Sequence, residues 1–143
     1  YRDRYKAWIS GIKQCRDDLI DKGYECEIPA ILWHCGENDR ALHWMAKEYA
    51  GRFQRFMDAT RRDLDLPELS WILTEQPMIP ASISGKQKLY DLNADLEALA
   101  AKDPHLHFVK TADLPHRPVL FGTEGILALG ERMAETWEKI TKP

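Results

Sequence analysis

The alternation of helical and extended patterns along this chain predicts an α/β fold, a three-layer αβα sandwich around a parallel sheet. Three observations carry that prediction. Short apolar runs stand at residues 28–34, 71–74 and 106–111, each the length of a buried strand. Between and around them, apolar residues recur at three- and four-residue steps, the signature of amphipathic helices. The resulting order, αβαβαβα, separates every pair of strands by a helical crossover, which implies parallel strands with helices packed on both faces.

Each element has its own warrant. Tyr5, Trp8, Ile12, Cys15 and Leu19 mark the first helix, which stops near Gly23. The strand of residues 28–34 runs into Cys35-Gly36-Glu37-Asn38-Asp39, where Asn38 or Asp39 is suited to cap the next helix. Leu42, Met45, Tyr49, Phe53 and Phe56 form the second stripe, which ends at Asp65-Leu66-Pro67. Trp71 to Thr74 is the second strand, closed by Gln76-Pro77, and a loop with Pro80, Ser82, Ser84 and Gly85 follows. Leu89, Leu92, Leu96 and Leu99 are the third stripe, broken at Asp103-Pro104. Leu106 to Thr111 is the third strand, and Ala112 to Gly122 a loop with two prolines. Ile126, Leu129, Met133, Trp137 and Ile140 make the last helix, with Thr123 as its expected cap. Trp44, Phe53, Phe56, Met133 and Trp137 are read as core.

The bulk numbers narrow the function. With 143 residues the chain reads as one domain, and its 44% hydrophobic and 30% charged content is that of an ordinary globular protein. A net charge of −3 gives no basic footprint for nucleic acid, and no apolar run approaches the roughly 18 residues of a membrane span. The three cysteines form no C-x-x-C pair and are too few for a disulfide framework. Neither G-x-G-x-x-G nor a phosphate-binding G-x-x-x-x-G-K-[ST] occurs, which argues against a nucleotide or flavin binder, and no cofactor is expected.

Two loops at strand carboxyl ends carry chemistry-bearing residues, the place where open α/β sheets hold ligands. The first is His34-Cys35-Gly36-Glu37-Asn38-Asp39. Glycine allows a sharp turn and close approach, Asn38 offers an amide donor, and a helix start adds positive potential. Such a cradle suits a developing negative charge; an ordinary strand-to-helix turn uses the same residue types. Cys35 raises the question of a thiol nucleophile, although only the helix start would activate it. The second is Asp113-Leu114-Pro115-His116. An acid three residues before a histidine can bond the imidazole and fix its tautomer, the base-plus-orienter half of a hydrolytic triad, though a solvated loop histidine fits as well. His105 and His107 alternate on one strand face without a third ligand at suggestive spacing, and no metal site is expected.

Ile31-Leu32-Trp33-His34-Cys35-Gly36-Glu37-Asn38-Asp39 resembles the W-H-Q-G-E-S/N-D block of SGNH hydrolases of the sialate O-acetylesterase-like group, carbohydrate esterase family six. Phe121-Gly122-Thr123-Glu124-Gly125 with Leu129-Gly130, the helix Tyr5 to Leu19 and Gly85-Lys86-Gln87 fit the same pattern. The resemblance implies a flavodoxin-like αβα fold that hydrolyses acetyl esters on carbohydrates by serine, histidine and aspartate, without metal. It implies Gly36 and Asn38 as oxyanion donors and His34, Cys35 and Glu37 as pocket residues. Cys35 stands where the family has glutamine. Counting back from Phe121 puts the family's histidine and acid at Leu120 and Arg117; the D-x-x-H spacing selects His116 and Asp113 instead. The family's serine lies in a G-x-S block on the first strand, and none occurs here. The expectation is therefore a partial domain, residues 1–143, lacking the N-terminal strand and nucleophile of a longer protein and inert alone. Its partner would be an acetylated carbohydrate, with a catalytically degenerate glycan or protein binder as the alternative. Secretion or a periplasmic location is suggested by the family only.

Overall fold

The sheet is set by which strand can be buried on both faces. The computed structural model describes residues 2–40, 42–77, 90–115 and 121–142. Its elements are α1 (Arg2–Asp21), β1 (Ala30–Trp33), α2 (Glu37–Arg40), α3 (His43–Leu64), β2 (Ser70–Thr74), α4 (Leu92–Ala100), β3 (Leu106–Val109) and α5 (Thr123–Thr141). The strands pair in parallel in the order β1-β2-β3, with Ala30 opposite Ser70 and Trp71 opposite Leu106. This is the α/β class that the alternation predicts.

β2 is central, and Trp71, Ile72, Leu73 and Thr74 are all buried. Alternation splits its side chains between two cores. Trp71 and Leu73 pack with Tyr49, Phe53 and Met57 of α3 and Leu92 and Leu96 of α4. Ile72 faces the other way, onto Val109, Leu114, Leu129 and Met133, the last two from α5. Each such apolar side chain contributes about 1.5–3 kcal/mol on burial. α1 joins the α3 layer through Ile9, Leu64 and Leu69. Both crossovers, β1–α3–β2 and β2–α4–β3, run over the same face, so the strand order advances steadily. α5 closes the opposite face.

Chain punctuation explains the boundaries. α1 ends at Gly23, whose φ of +84° is glycine territory, with Tyr24 N–H donating to the Leu19 carbonyl. α3 ends at Asp65 in the left-handed region (φ 58°), and Leu66 N–H reaches back to the Arg61 carbonyl. Asp91 caps α4 by accepting from Ala94 N–H at 3.2 Å.

Three sequence expectations are corrected. Asn38 and Asp39 do not cap a helix; they lie inside α2, whose first bond runs from Arg40 N–H to the Gly36 carbonyl. α5 has Gly122 at its cap position without a side-chain bond, and Thr123 is already helical. Trp44 is not core: it is 57% exposed, with the Arg52 guanidinium 5.7 Å from its ring centroid. Ala46, Tyr49, Phe53, Met57, Thr60 and Leu64 form the buried stripe of α3, and Trp44, nine residues before Phe53, stands on the opposite face of the helix.

Candidate functional site

The three strands deliver their carboxyl ends to one region, and side chains fasten these ends together. The Arg40 guanidinium is buried and donates to the carbonyls of Gln76 and Pro77, each at 2.5 Å, tying the turn after β1 to the exit of β2. Asn93 of α4 pairs with Gln76 as a neighbouring strand would. Its carbonyl oxygen accepts from Gln76 N–H at 2.9 Å, and its amide donates to the Gln76 carbonyl at 3.0 Å. Glu75 accepts from Thr111 N–H at 2.7 Å and Ala112 N–H at 2.9 Å, which fixes the start of the loop after β3.

Within this frame Gly36 is required by its geometry. Its φ of +138° strains any L side chain, and an added Cβ would lie 3.2 Å from the Tyr49 ring and 3.4 Å from the Gln76 amide carbon. Tyr49 holds the same turn from below: Trp33 Nε1–H donates to its hydroxyl at 3.2 Å, and the hydroxyl donates to the Cys35 carbonyl at 2.5 Å. Burial pushes the Tyr49 hydroxyl well above the ordinary phenol range. It therefore serves as a neutral donor.

His34 sits on the α5 side of the sheet. Its Nδ1 lies 2.5 Å from Thr74 Oγ1, its Nε2 lies 3.6 Å from Glu37 Oε1, and its ring is 5.5 Å from that of Phe121. Half-burial holds the imidazole below its ordinary range, opposed by the Glu37 charge. Glu37 Oε2 accepts from Gly36 N–H at 3.1 Å. The structure thus brings His34, Gly36 and Glu37 together. Asn38 lines an open cleft of about 820 Å³ on the α3 side, and one of its walls is Tyr49, the residue that also abuts Gly36. The Cys35 thiol is raised by partial burial and by the Glu37 and Asp39 carboxylates, which disfavours the thiolate a nucleophile needs.

Asp113 lies in the loop that Glu75 anchors, and both its oxygens bond Arg132 of α5, at 2.7 and 2.8 Å. Arg132 also donates to the Lys110 carbonyl at 2.7 Å. This pairing holds the Asp113 carboxyl down at about 2. His116, the expected base, lies outside the described residues, as do Leu120 and Arg117. Of the serines, Ser10 is exposed on α1 and Ser70 begins β2 at the opposite end of the sheet; Ser82 and Ser84 lie outside the described residues. Among the described residues no three His, Cys, Asp or Glu side chains gather as a metal site would require. Sequence reasoning missed Thr74, Phe121, Arg40 and Arg132. Position alone signals Thr74, as the polar residue ending a buried strand.

A parallel αβα sandwich with a polar turn at the carboxyl ends of its strands belongs to the class of α/β proteins that work at that edge of the sheet. The particular family follows from the sequence: residues 2–139 match the carbohydrate esterase family of sialic acid-specific acetylesterases, and the chain belongs to it. No curated protein matches the chain. A protein from Arabidopsis thaliana of known crystal structure has the same fold, with a TM-score of 0.71 at 21% identity. The match covers 94% of this chain and 51% of that one, so the chain spans about half the length of that structure.

Proposed function

We propose that residues 1–143 carry part of the active site of a carbohydrate O-acetylesterase acting on acetylated sugars such as O-acetylated sialic acid. Gly36 N–H and the Asn38 amide are the oxyanion donors, His116 the general base, and Asp113 the acid that orients it. The serine nucleophile comes from a segment outside this chain. The observation that carries the reading is the Gly36 turn, held in a glycine-only conformation at the strand ends of a member of an acetylesterase family. Arg132 supports the assignment of Asp113 by keeping its carboxylate ionised and fixed beside the loop that leads to His116.

The test is acetate release from p-nitrophenyl acetate and O-acetylated sugars by the protein that supplies the serine, as wild type and as His116→Ala. Loss of about 10³-fold or more in turnover with the fold intact is expected, since triad members act as a unit. Full activity in His116→Ala refutes its role. A second reading, a family member that binds acetylated glycans or a protein partner without turnover, is favoured by Leu120 and Arg117 in the family's catalytic slots. Titration calorimetry beside the activity assay separates the two, and measurable turnover eliminates the binder.

A further inference from the structure

At the end of β1 one carboxylate serves two claimants. Glu37 Oε2 accepts from Gly36 N–H at 3.1 Å, at the long end of the normal range, while Oε1 stands 3.6 Å from His34 Nε2, beyond hydrogen-bond distance. The other nitrogen of His34 is committed, 2.5 Å from the hydroxyl of the fully buried Thr74. The imidazole is thus anchored at one edge and addresses Glu37 with the other. A protonated imidazole carries N–H at both nitrogens, and a charge-assisted N–H···O bond closes to about 2.7–2.9 Å. Closing from 3.6 Å draws the Glu37 carboxylate toward His34 by roughly 0.8 Å, and the Gly36 contact is the one that must yield.

We infer that His34 is a positioning residue that decides, through Glu37, whether the Gly36 N–H is free to receive an oxyanion. With His34 neutral, Glu37 sits on the donor and occupies it. With His34 protonated, Glu37 moves onto the imidazolium and leaves the donor open. The coupling is reciprocal, as binding linkage requires: an acyl oxyanion that takes the Gly36 N–H displaces Glu37 toward His34 and favours the proton there. The inference rests on Gly36 being an oxyanion donor, but the switch exists in the resting chain and needs no substrate. The groups that face it are Cys35, Glu37 and Asp39 from its own segment and Tyr49 from α3, with Thr74 from β2 and Phe121 beside the ring. The Cys35 thiol and Tyr49 hydroxyl are both pushed up, so they stay neutral where His34 titrates.

The experiment is an NMR titration of ¹⁵N-labelled residues 1–143 between about pH 5 and 8, the window of histidine titration, following the Gly36 amide and the His34 ring nitrogens. In the wild type the Gly36 amide is expected to shift with the midpoint of His34. Glu37→Gln should abolish the Gly36 response and lower the His34 midpoint, because the nearby opposite charge is gone. His34→Gln should likewise leave the Gly36 amide flat. A Gly36 amide that stays flat while wild-type His34 titrates overturns the inference. So does a response that persists in Glu37→Gln. Neither result bears on whether an acetyl ester is cleaved, so the switch and the acetylesterase reading fail separately.

Discussion

Replacing Gly125 with alanine sets two effects of opposite sign against each other, and the structure says which wins. Gly125 is buried in the first turn of α5, where an ideal Cβ would lie 2.0 Å from the Pro115 carbonyl oxygen and 2.9 Å from Phe121 Cδ1. Ordinary C···O contacts begin near 3.3 Å, so the loop would have to retreat by more than about 1 Å. The helix-propensity gain from glycine to alanine is at most about 1 kcal/mol. Overpacking against backbone costs about 1–3 kcal/mol and sometimes more, so Gly125→Ala is expected to lose about 2 kcal/mol net. Gly130→Ala on the same helix is the control, because nothing lies within 4 Å of its added Cβ. It should gain up to about 1 kcal/mol. The two variants should therefore differ by roughly 3 kcal/mol, or about 6–12 °C in Tm for a domain of this size. Urea unfolding followed by tryptophan fluorescence measures this directly, provided the slope is unchanged. Equal stability of the two alanine variants would refute the close approach of the Pro115 loop to α5, and with it the placement of the Asp113 loop.

Three further outcomes follow from the ion pairs and the turn. Arg132→Gln should return the Asp113 carboxyl from about 2 toward its ordinary range, read by carboxyl NMR. Because the folded value is the depressed one, the pairing stabilises above the unfolded carboxylate range and is lost as pH falls from about 4 toward 2; the variant should lack that dependence. Asp103→Asn should cost about 2 kcal/mol in chemical denaturation, since Arg61 donates to Asp103 at 2.6 Å in a mostly buried pair. Burial raises the Asp103 carboxyl more than any one partner lowers it, but the Arg61 bond, the His105 N–H bond and the Arg61 charge together outweigh it and leave it lowered, so the variant should also blunt the wild type's loss of stability in acid. Tyr49→Phe should cost about 1–2 kcal/mol by leaving the Cys35 carbonyl and the Trp33 indole N–H without their partner. Wild-type stability in that variant would mean that the turn stands without this support.

The fold was legible because its signal is periodic. Strand cores and helix stripes repeat every two or 3.6 residues, and Leu73, Phe53 and Leu129 occupy the buried positions that their spacing demands. The turn after β1 was legible as a turn, since a glycine between a strand run and a helix start marks a backbone position such as the positive φ found at Gly36. What escaped the sequence has no period. Thr74 lies 40 residues from His34, and only the strand register brings them together. Arg40 reads as a solvated helix residue until its guanidinium is seen beneath the β2 exit. Arg132, 19 residues past Asp113, is an unremarked basic residue of the last helix until α5 packs on the sheet. Trp44 misled because a large aromatic suggests burial by its type alone, whereas the helical period sets it on the face of α3 opposite Phe53.

The fastenings by Arg40, Asn93 and Glu75 have a consequence for how the protein opens. The turns that follow the three strands bond one another through side chains of α2, α4 and the β2 exit itself, in place of a continuing ladder. Segments joined in this way belong to one cooperative unit, so their amides should exchange together and at a free energy close to that of β2. The stiffness of the Gly36 turn is therefore inherited from the middle of the sheet. Variation at the exposed tips of these turns can change what they present while the unit beneath them keeps its stability.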